Sequence, residues 1–208
     1  MSPEINRDRT YYFDYRHRQA TFILSFRAAS VTYGMIRDYL YSLKTPEIVS
    51  AYSTYVEEYT FVINVEGVKE HISIPIRSVD AAYWQILDFN FIEGKPFTQQ
   101  EFGSSMQYVV ISQHMAKQLF KGEQAMGKII EINFKPYRIV GIVEEVSPLF
   151  KEAYSEVWIP YTTVTDFENT AGFRVMLLAK NKPDFPDIYA EVRDMVKVIL
   201  PGSYTHHR

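Results

Sequence analysis

Apolar and polar positions along the chain change period several times, and each change marks an element. Residues 9–28 (RTYYFDYRHRQATFILSFRA) mix alternation with a β-rich run, which predicts one or two strands. From Val31 to Lys44 the period becomes helical. Ile36, Tyr39, Leu40 and Leu43 share one face, Ser30 stands where an N-cap belongs, and Thr45-Pro46 stops the run. Gly34 weakens this helix by up to about 1 kcal/mol relative to Ala. Residues 47–65 carry a β-rich run in which Val62 and Asn64 alternate with Ile63 and Val65. Glu66-Gly67 marks a turn, and Lys69–Ile76 returns as a second strand, with Pro75 at an edge or a strand end.

After this hairpin the pattern changes character. Asp80 is placed to cap a short helix, Ala81–Leu87, with Tyr83 and Trp84 facing inward. Residues 93–96 (EGKP) form a turn around Gly94. Thr98 with Glu101 three residues on matches a capping box, so a helical turn starts near Gln99. Val109–Ile111 is a short apolar strand. Ser112 caps a helix from Gln113 to Lys121 with Met115, Leu119 and Phe120 as its buried stripe, and Gly122 stops it. Gly127–Phe134 and Tyr137–Val146 predict a hairpin turning at Lys135-Pro136. Gly141 interrupts its second strand, which marks a bulge or a close backbone approach. Glu156–Pro160 is a further strand, and Thr162 or Thr163 caps a short helix through Phe167. Then the first style returns. Gly172–Lys180 is a strand, and Asp184 caps a helix through Leu200, about 25 Å long, with Ile188, Val192, Met195, Val196 and Ile199 inside. No repeat and no low-complexity segment occurs. The simplest architecture is α+β in two lobes, one discontinuous (1–78 plus 170–208) and one inserted (79–169).

A chain of 208 residues buries enough surface to fold without a metal or disulfide staple. It has no cysteine, which excludes thiol nucleophiles, thiolate metal sites and disulfides. A net charge of -3 with a pI near 6.0 argues against nucleic acid as a partner. Arg7, Arg9, Arg16, Arg18 and Arg27 are offset by Glu4, Asp8 and Asp14, so the N-terminal arm reads as a solvated strand face. No apolar run reaches about 18 residues, so nothing here is expected to span a membrane. The start MSPEINRDRT lacks the apolar core of a signal peptide, and Met1-Ser2 fits an added start.

Candidate chemistry is thin. His17, His71, His114, His206 and His207 never pair with an acid at a ligand spacing, so no metal is expected. Glu144 and Glu145 are adjacent, and a strand points them to opposite faces. Ser112 sits at a strand-to-helix turn but within VVISQHM, without the glycines of a nucleophile elbow. Gly122, Gly127 and Gly141 form no phosphate loop, so no cofactor is expected. The aromatics are abundant, with Tyr 16 and Phe 14. Tyr11, Tyr12, Phe13 and Tyr15, and Tyr52, Tyr55 and Tyr59, supply cross-strand pairs or a partner surface. Asp80, Trp84, Gly94, Ser112, Leu119, Phe120, Gly127 and Gly141 are therefore expected to act structurally, and no catalytic residue is assigned.

Between Val79 and Pro160 five pieces follow in order: VDAAYWQIL, FIEGKPFTQQEF, YVVISQHMAKQLFKGEQAMGKIIEI, YRIVGIVEEV and VWIP. Together they resemble the periplasmic core domain of MacB-type ABC transporter permeases, also called FtsX-like permeases. The aromatic flanks resemble those of Bacteroidetes members. The resemblance implies a porter-like lobe with an inserted, smaller sabre-like lobe. It implies a place on the periplasmic side of the bacterial inner membrane, between transmembrane helices that lie outside this chain. It further implies a cytoplasmic ABC ATPase, a second permease copy or paralogue, and transmission of ATP-driven motion without catalysis in this domain. A free-standing periplasmic peptide- or lipid-binding module is the alternative, and it would need a continuous apolar groove. A hydrolase would need a nucleophile–base pair that the sequence does not offer.

Overall fold

The computed structural model describes residues 10–13, 31–53, 61–65, 68–72, 74–169 and 171–199. The first half of the chain gives β1 (Thr10–Phe13), β2 (Val31–Thr32), α1 (Tyr33–Asp38), β3 (Ile48–Ser53), β4 (Phe61–Val65), β5 (Val68–Ile72), β6 (Ile76–Val79), α2 (Tyr83–Ile86), β7 (Phe91–Gly94) and α3 (Gln99–Gly103). The second half gives β8 (Tyr108–Ser112), α4 (Gln113–Phe120), β9 (Ile129–Ile132), β10 (Lys135–Val143), β11 (Val157–Pro160), β12 (Ala171–Leu178) and α5 (Phe185–Ile199). The strands form one mixed sheet in the order β1-β12-β3-β6-β11-β8-β10-β9-β4-β5, with β2 on β12 and β7 on β10. The pairs β8–β10 and β6–β11 are parallel; the other registers are antiparallel.

Two apolar clusters cover opposite faces of the central strands, and strand alternation sorts residues between them. In β8, Val110 joins the first cluster while Val109 and Ile111 join the second. In β11, Trp158 joins the first and Val157 and Ile159 the second. In β10, Tyr137 and Ile139 face the second cluster, yet so does Ile142, one step out of phase. The register against β8 shifts between Ile139 and Gly141, and this bulge absorbs the extra residue.

Gly141 is required there for a second reason. It pairs with Gly94 of β7, and a Cβ on Gly141 would lie 2.6 Å from the Phe91 ring and 2.9 Å from the Lys95 carbonyl. Gly94 has φ +69°, and a Cβ on it would stand 2.1 Å from the Val140 carbonyl oxygen. Two glycines thus let β7 close onto the bulge.

Several sequence expectations need correction. The first helix is shorter than Val31–Lys44: it runs Tyr33–Asp38, capped by Thr32, and passes into a 3-10 turn at Leu40–Ser42. Ile36 and Leu40 are buried, but Tyr39 is exposed. Ser30 lies outside the described residues, as do Glu66, Gly67 and most of residues 9–28. The β9–β10 hairpin turns at Asn133-Phe134, both in the left-handed region, and not at Lys135-Pro136. Pro136 is a strand residue opposite Glu131. The β8 pairing begins only at Arg138, so no β8 register depends on the amide that Pro136 lacks. Neither Thr162 nor Thr163 caps a helix. Their hydroxyls donate to the carbonyls of Phe102 and Pro160, closing a 3-10 turn. Asp184 precedes α5, but its carboxylate accepts from the Asn181 amide. On α5, Ile188 and Val192 are buried and Met195, Val196 and Ile199 half-buried.

Local signals read from sequence are in place elsewhere. The Thr98/Glu101 capping box is complete. Ser112 accepts from the Met115 amide at the start of α4, and Lys121 and Gly122, both at positive φ, end it.

Candidate functional site

The described residues with the densest polar bonding lie where β3, β6 and α2 meet. Asp80 is buried, and both oxygens are fully engaged. Oδ1 accepts from Ser50 Oγ at 2.8 Å and the Tyr83 amide at 2.9 Å; Oδ2 accepts from the Ala51 amide at 2.7 Å and the Tyr41 hydroxyl at 2.8 Å. The helix expected over Ala81–Leu87 is shorter, Tyr83–Ile86, with Ala82 and not Asp80 at its N-cap position, and Asp80 reaches the Tyr83 amide from outside it. The other three bonds were not legible, because their donors come from segments distant along the chain. Tyr41 also lies 2.8 Å from the Tyr161 hydroxyl. Burial pushes the Asp80 carboxyl up to about 6, opposed by its four hydrogen bonds. Burial and the nearby Asp80 likewise push the Tyr41 and Tyr161 phenols up.

A second network pins the long connection between β10 and β11 to the sheet. Glu152 accepts from the Tyr52 hydroxyl and from Arg174 Nη1 at 3.0 Å. Arg77, buried in β6, donates to the Lys151 and Tyr154 carbonyls at 2.9 and 3.1 Å and stacks 5.2 Å from the Tyr52 ring. The Tyr83 hydroxyl donates to the Glu152 carbonyl at 2.8 Å. Sequence reading missed Arg77 and Glu152. The available signal was parity: Arg77 sits between Ile76 and Val79 on a strand whose both faces are covered, and a buried arginine requires partners.

Ser112 is likewise not alone. Glu156, from the strand start beside it, accepts from its hydroxyl, and His114 Nδ1 lies 3.5 Å from the same carboxylate. His114 has no acid one turn away on its own helix, as expected, and its acidic neighbour comes from across the fold. The order of contacts places the acid between serine and histidine. The histidine does not touch the serine oxygen, which donates to Glu156, is buried and already caps α4 by accepting from the Met115 amide. This arrangement orients a helix N-terminus and does not activate a nucleophile.

The remaining expected residues fall into packing roles. Trp84 is buried in an aromatic cluster, with ring contacts to Phe97 at 5.7 Å, Phe91 at 5.6 Å and Trp158 at 6.1 Å. Phe120 is buried beneath α4, whereas Leu119 is only half-buried. Gly127 has φ +78°, and its amide bonds the Ile139 carbonyl at 3.0 Å. An open groove of about 560 Å³ runs along α4 beside β7, over Ile92, Ala116, Ala125 and Ile142, with Glu93 and Lys117 at its sides. Among the described residues no cluster of three metal-ligating side chains occurs. No helix among them is long and apolar enough to cross a membrane.

Comparison with known proteins agrees with this architecture. A family described as the MacB-like periplasmic core domain matches residues 5–195. The ABC transporter permease YknZ of Bacillus subtilis is 25% identical over 129 residues, covering 62% of this chain and 32% of that protein. The macrolide export ATP-binding/permease protein MacB of Escherichia coli K12 is 27% identical over 96 residues, covering 45% of this chain and 15% of that protein. The chain thus spans a third or less of the length of these relatives. Among solved structures, the periplasmic region of MacB from Actinobacillus actinomycetemcomitans superposes with a TM-score of 0.68 at 16% identity, covering 94% of this chain and 87% of that one. The extracellular domain of YknZ from Gram-positive bacteria gives 0.67 at 19% identity, covering 91% and 92%. With its mixed sheet, its helix caps and its glycine-closed bulge all accounted for, the chain belongs to the family of MacB-like periplasmic core domains, the extracytoplasmic domain of MacB/FtsX-type ABC transporter permeases.

Proposed function

We propose that this domain receives motion from the membrane part of an ABC permease and passes it outward, without chemistry of its own. The observation that carries the proposal is the register at the sheet edge. Thr10 of β1 lies opposite Leu178 of β12, so the chain approaches β1 beside the point where β12 exits toward α5. Motion delivered at the start of β1 enters at this edge of the sheet. Backbone hydrogen bonds then carry it through β3, β6, β11, β8 and β10 to β9, β4 and β5. The networks at Asp80 and Glu152 stiffen this path by joining β3, β6, β12 and the β10–β11 connection through hydrogen bonds that side chains make to backbone and to one another.

In this reading, residues 1–78 plus 170–208 act as a porter-like lobe and 79–169 as a sabre-like insert. The second apolar cluster supports it, since apart from Ile74 and Ile76 its members come from the insert. Transmembrane helices flank the domain in the parent protein, a cytoplasmic ABC ATPase drives it, and a second permease copy or paralogue completes the assembly on the periplasmic side of the inner membrane. The groove along α4 is bordered by charged residues and is not the continuous apolar cleft that a free-standing lipid or peptide carrier needs.

The test begins with the parent reading frame, where apolar runs of about 20 residues should stand on both sides of the domain. Leu149, 87% exposed on the β10–β11 connection, then takes a cysteine in the full protein. Labelling of Leu149→Cys by a membrane-impermeant maleimide in spheroplasts is expected. Labelling only after permeabilisation would overturn the extracytoplasmic placement. A cleavable signal peptide with no apolar flank would point instead to the free-standing module.

A further inference from the structure

The four donors to Asp80 divide by kind. Each oxygen takes one backbone amide, which cannot turn away, and one hydroxyl, which can. Oδ1 has the Tyr83 amide and Ser50; Oδ2 has the Ala51 amide and Tyr41. None of these donors carries a positive charge, so the buried anion relies on dipoles alone. Ser50 is sealed from solvent. Tyr41 is different: it is 41% exposed on the Leu40–Ser42 turn, yet its hydroxyl reaches inward to Asp80 and Tyr161. The turn carrying Tyr41 therefore covers the side of the carboxylate that is nearest to water.

We propose that the Tyr41 side chain is a proton-responsive latch over Asp80: proton uptake favours its closed position, and proton loss favours its swinging outward while Leu40 beside it stays in the core. The sign follows from linkage. In the closed state burial raises the carboxyl to about 6, whereas water reaching it in an open state returns it toward the ordinary value of 3.8. The closed state binds the proton more tightly, so acid closes the latch. Opening grows as pH rises from about 4 to about 6 and levels off above that.

The hydroxyl pair makes protonation compatible with closure. A proton on Oδ2 faces Tyr41, whose hydroxyl rotates to accept it and offers its own hydrogen to Tyr161. Both backbone amides keep their bonds. Three phenols and one carboxylate also face the site or the segment beside it. The Tyr41 and Tyr161 phenols are pushed far up by burial, and Tyr33, edge-on to Tyr161 at 6.1 Å, is also a phenol. Glu191 of α5 accepts from the Lys44 and Thr45 amides just beyond the turn; although burial pushes it up, those amides hold it below its usual range. It ties the segment after the turn to α5. Resting on the extracytoplasmic reading, the latch makes the bonding of Tyr41 to Asp80 respond to acidity outside the membrane.

Amide hydrogen exchange across residues 40–51, corrected for intrinsic pH dependence, tests the latch. The expected result is opening on the order of tenfold more frequent at pH 7 than at pH 5 in the native sequence, with the difference absent in Asp80→Asn. No pH difference in the native sequence, or an equal difference in Asp80→Asn, overturns the proposal. Asp80→Asn sets an amide donor against a backbone N–H, so a second readout keeps the test independent of that variant's folding. Carboxyl carbon NMR follows Asp80 directly in the native sequence and in Tyr41→Phe. A native midpoint near 6 is expected, and Tyr41→Phe should shift it, since the change removes both a bond to the anion and the group that covers it. A native midpoint below about 4.5, or one unmoved by Tyr41→Phe, overturns the latch.

Discussion

Gly94→Ala is the sharpest perturbation of the fold. Two costs add at this position. The residue sits at φ +69°, where an L side chain costs about 1–2 kcal/mol. Its new Cβ would stand 2.1 Å from the Val140 carbonyl oxygen, whereas ordinary carbon–oxygen contacts lie at about 3.3–3.6 Å. The obstacle is backbone, so β7 must move away by about 1 Å. That strains the Lys95–Val140 hydrogen bond of 3.1 Å and the pairing with Gly141. Overpacking of this kind costs about 1–3 kcal/mol. A total loss of about 2–5 kcal/mol follows, or about 5–15 °C in Tm for a chain this size. Urea or thermal unfolding followed by tryptophan fluorescence reads it, since Trp84 lies 5.6 Å from Phe91 of the displaced strand. Gly103→Ala is the control. Nothing lies within 4 Å of its Cβ position, so no loss and a gain of up to about 1 kcal/mol is expected. A loss below about 0.5 kcal/mol for Gly94→Ala would refute the close-approach reasoning.

Other outcomes follow from the same geometry. Phe120→Ala should cost about 3–5 kcal/mol, and Leu119→Ala, half-buried beside it, distinctly less; equal losses in denaturant unfolding would contradict the packing of α4. Ser112→Ala removes the α4 cap and leaves Glu156 one donor short, so about 1–2 kcal/mol should be lost, measured the same way. Asp80 has a raised pKa, so its contribution to global stability is full below about pH 4 and declines as pH rises through about 6. The amount is on the order of 3 kcal/mol, and it should vanish from the pH–stability profile of an Asp80→Asn protein that folds. A double-mutant cycle on Glu152 and Arg174, both partly exposed, should give a coupling near 1 kcal/mol; zero coupling would remove this pair from the stiffening network.

What could be read from sequence was local. The capping box at Thr98, the cap at Ser112 and the stop at Gly122 need only neighbours within one turn of helix, and all are present. Gly141 was marked by its misfit in a strand pattern, but its partner Gly94 is set by a register that no local pattern encodes. The β9–β10 turn was misplaced by two residues because Lys135-Pro136 carries a turn residue type, while Phe134 is a bulky side chain in the left-handed region. Leu119 shared the helical period of Met115 and Phe120 and packs against the same cluster, yet it is only partly buried where those two are fully covered. The Asp80 and Glu152 networks draw donors from five or more segments, and such convergence appears only once the chain is folded.

The proposed transmission requires the domain to move as one stiff body under nucleotide control. Spin labels in the complete permease, reconstituted with its ATPase, test it most directly. One pair lies within the domain, at Ile129→Cys and Val198→Cys, both exposed and on different elements of the fold. The other pair joins Leu149→Cys of two permease copies. The expected result is an inter-copy distance that changes between nucleotide-free and ATP-bound states while the distance within the domain stays constant. An inter-copy distance indifferent to nucleotide, or a change confined to the pair within the domain, would contradict the account.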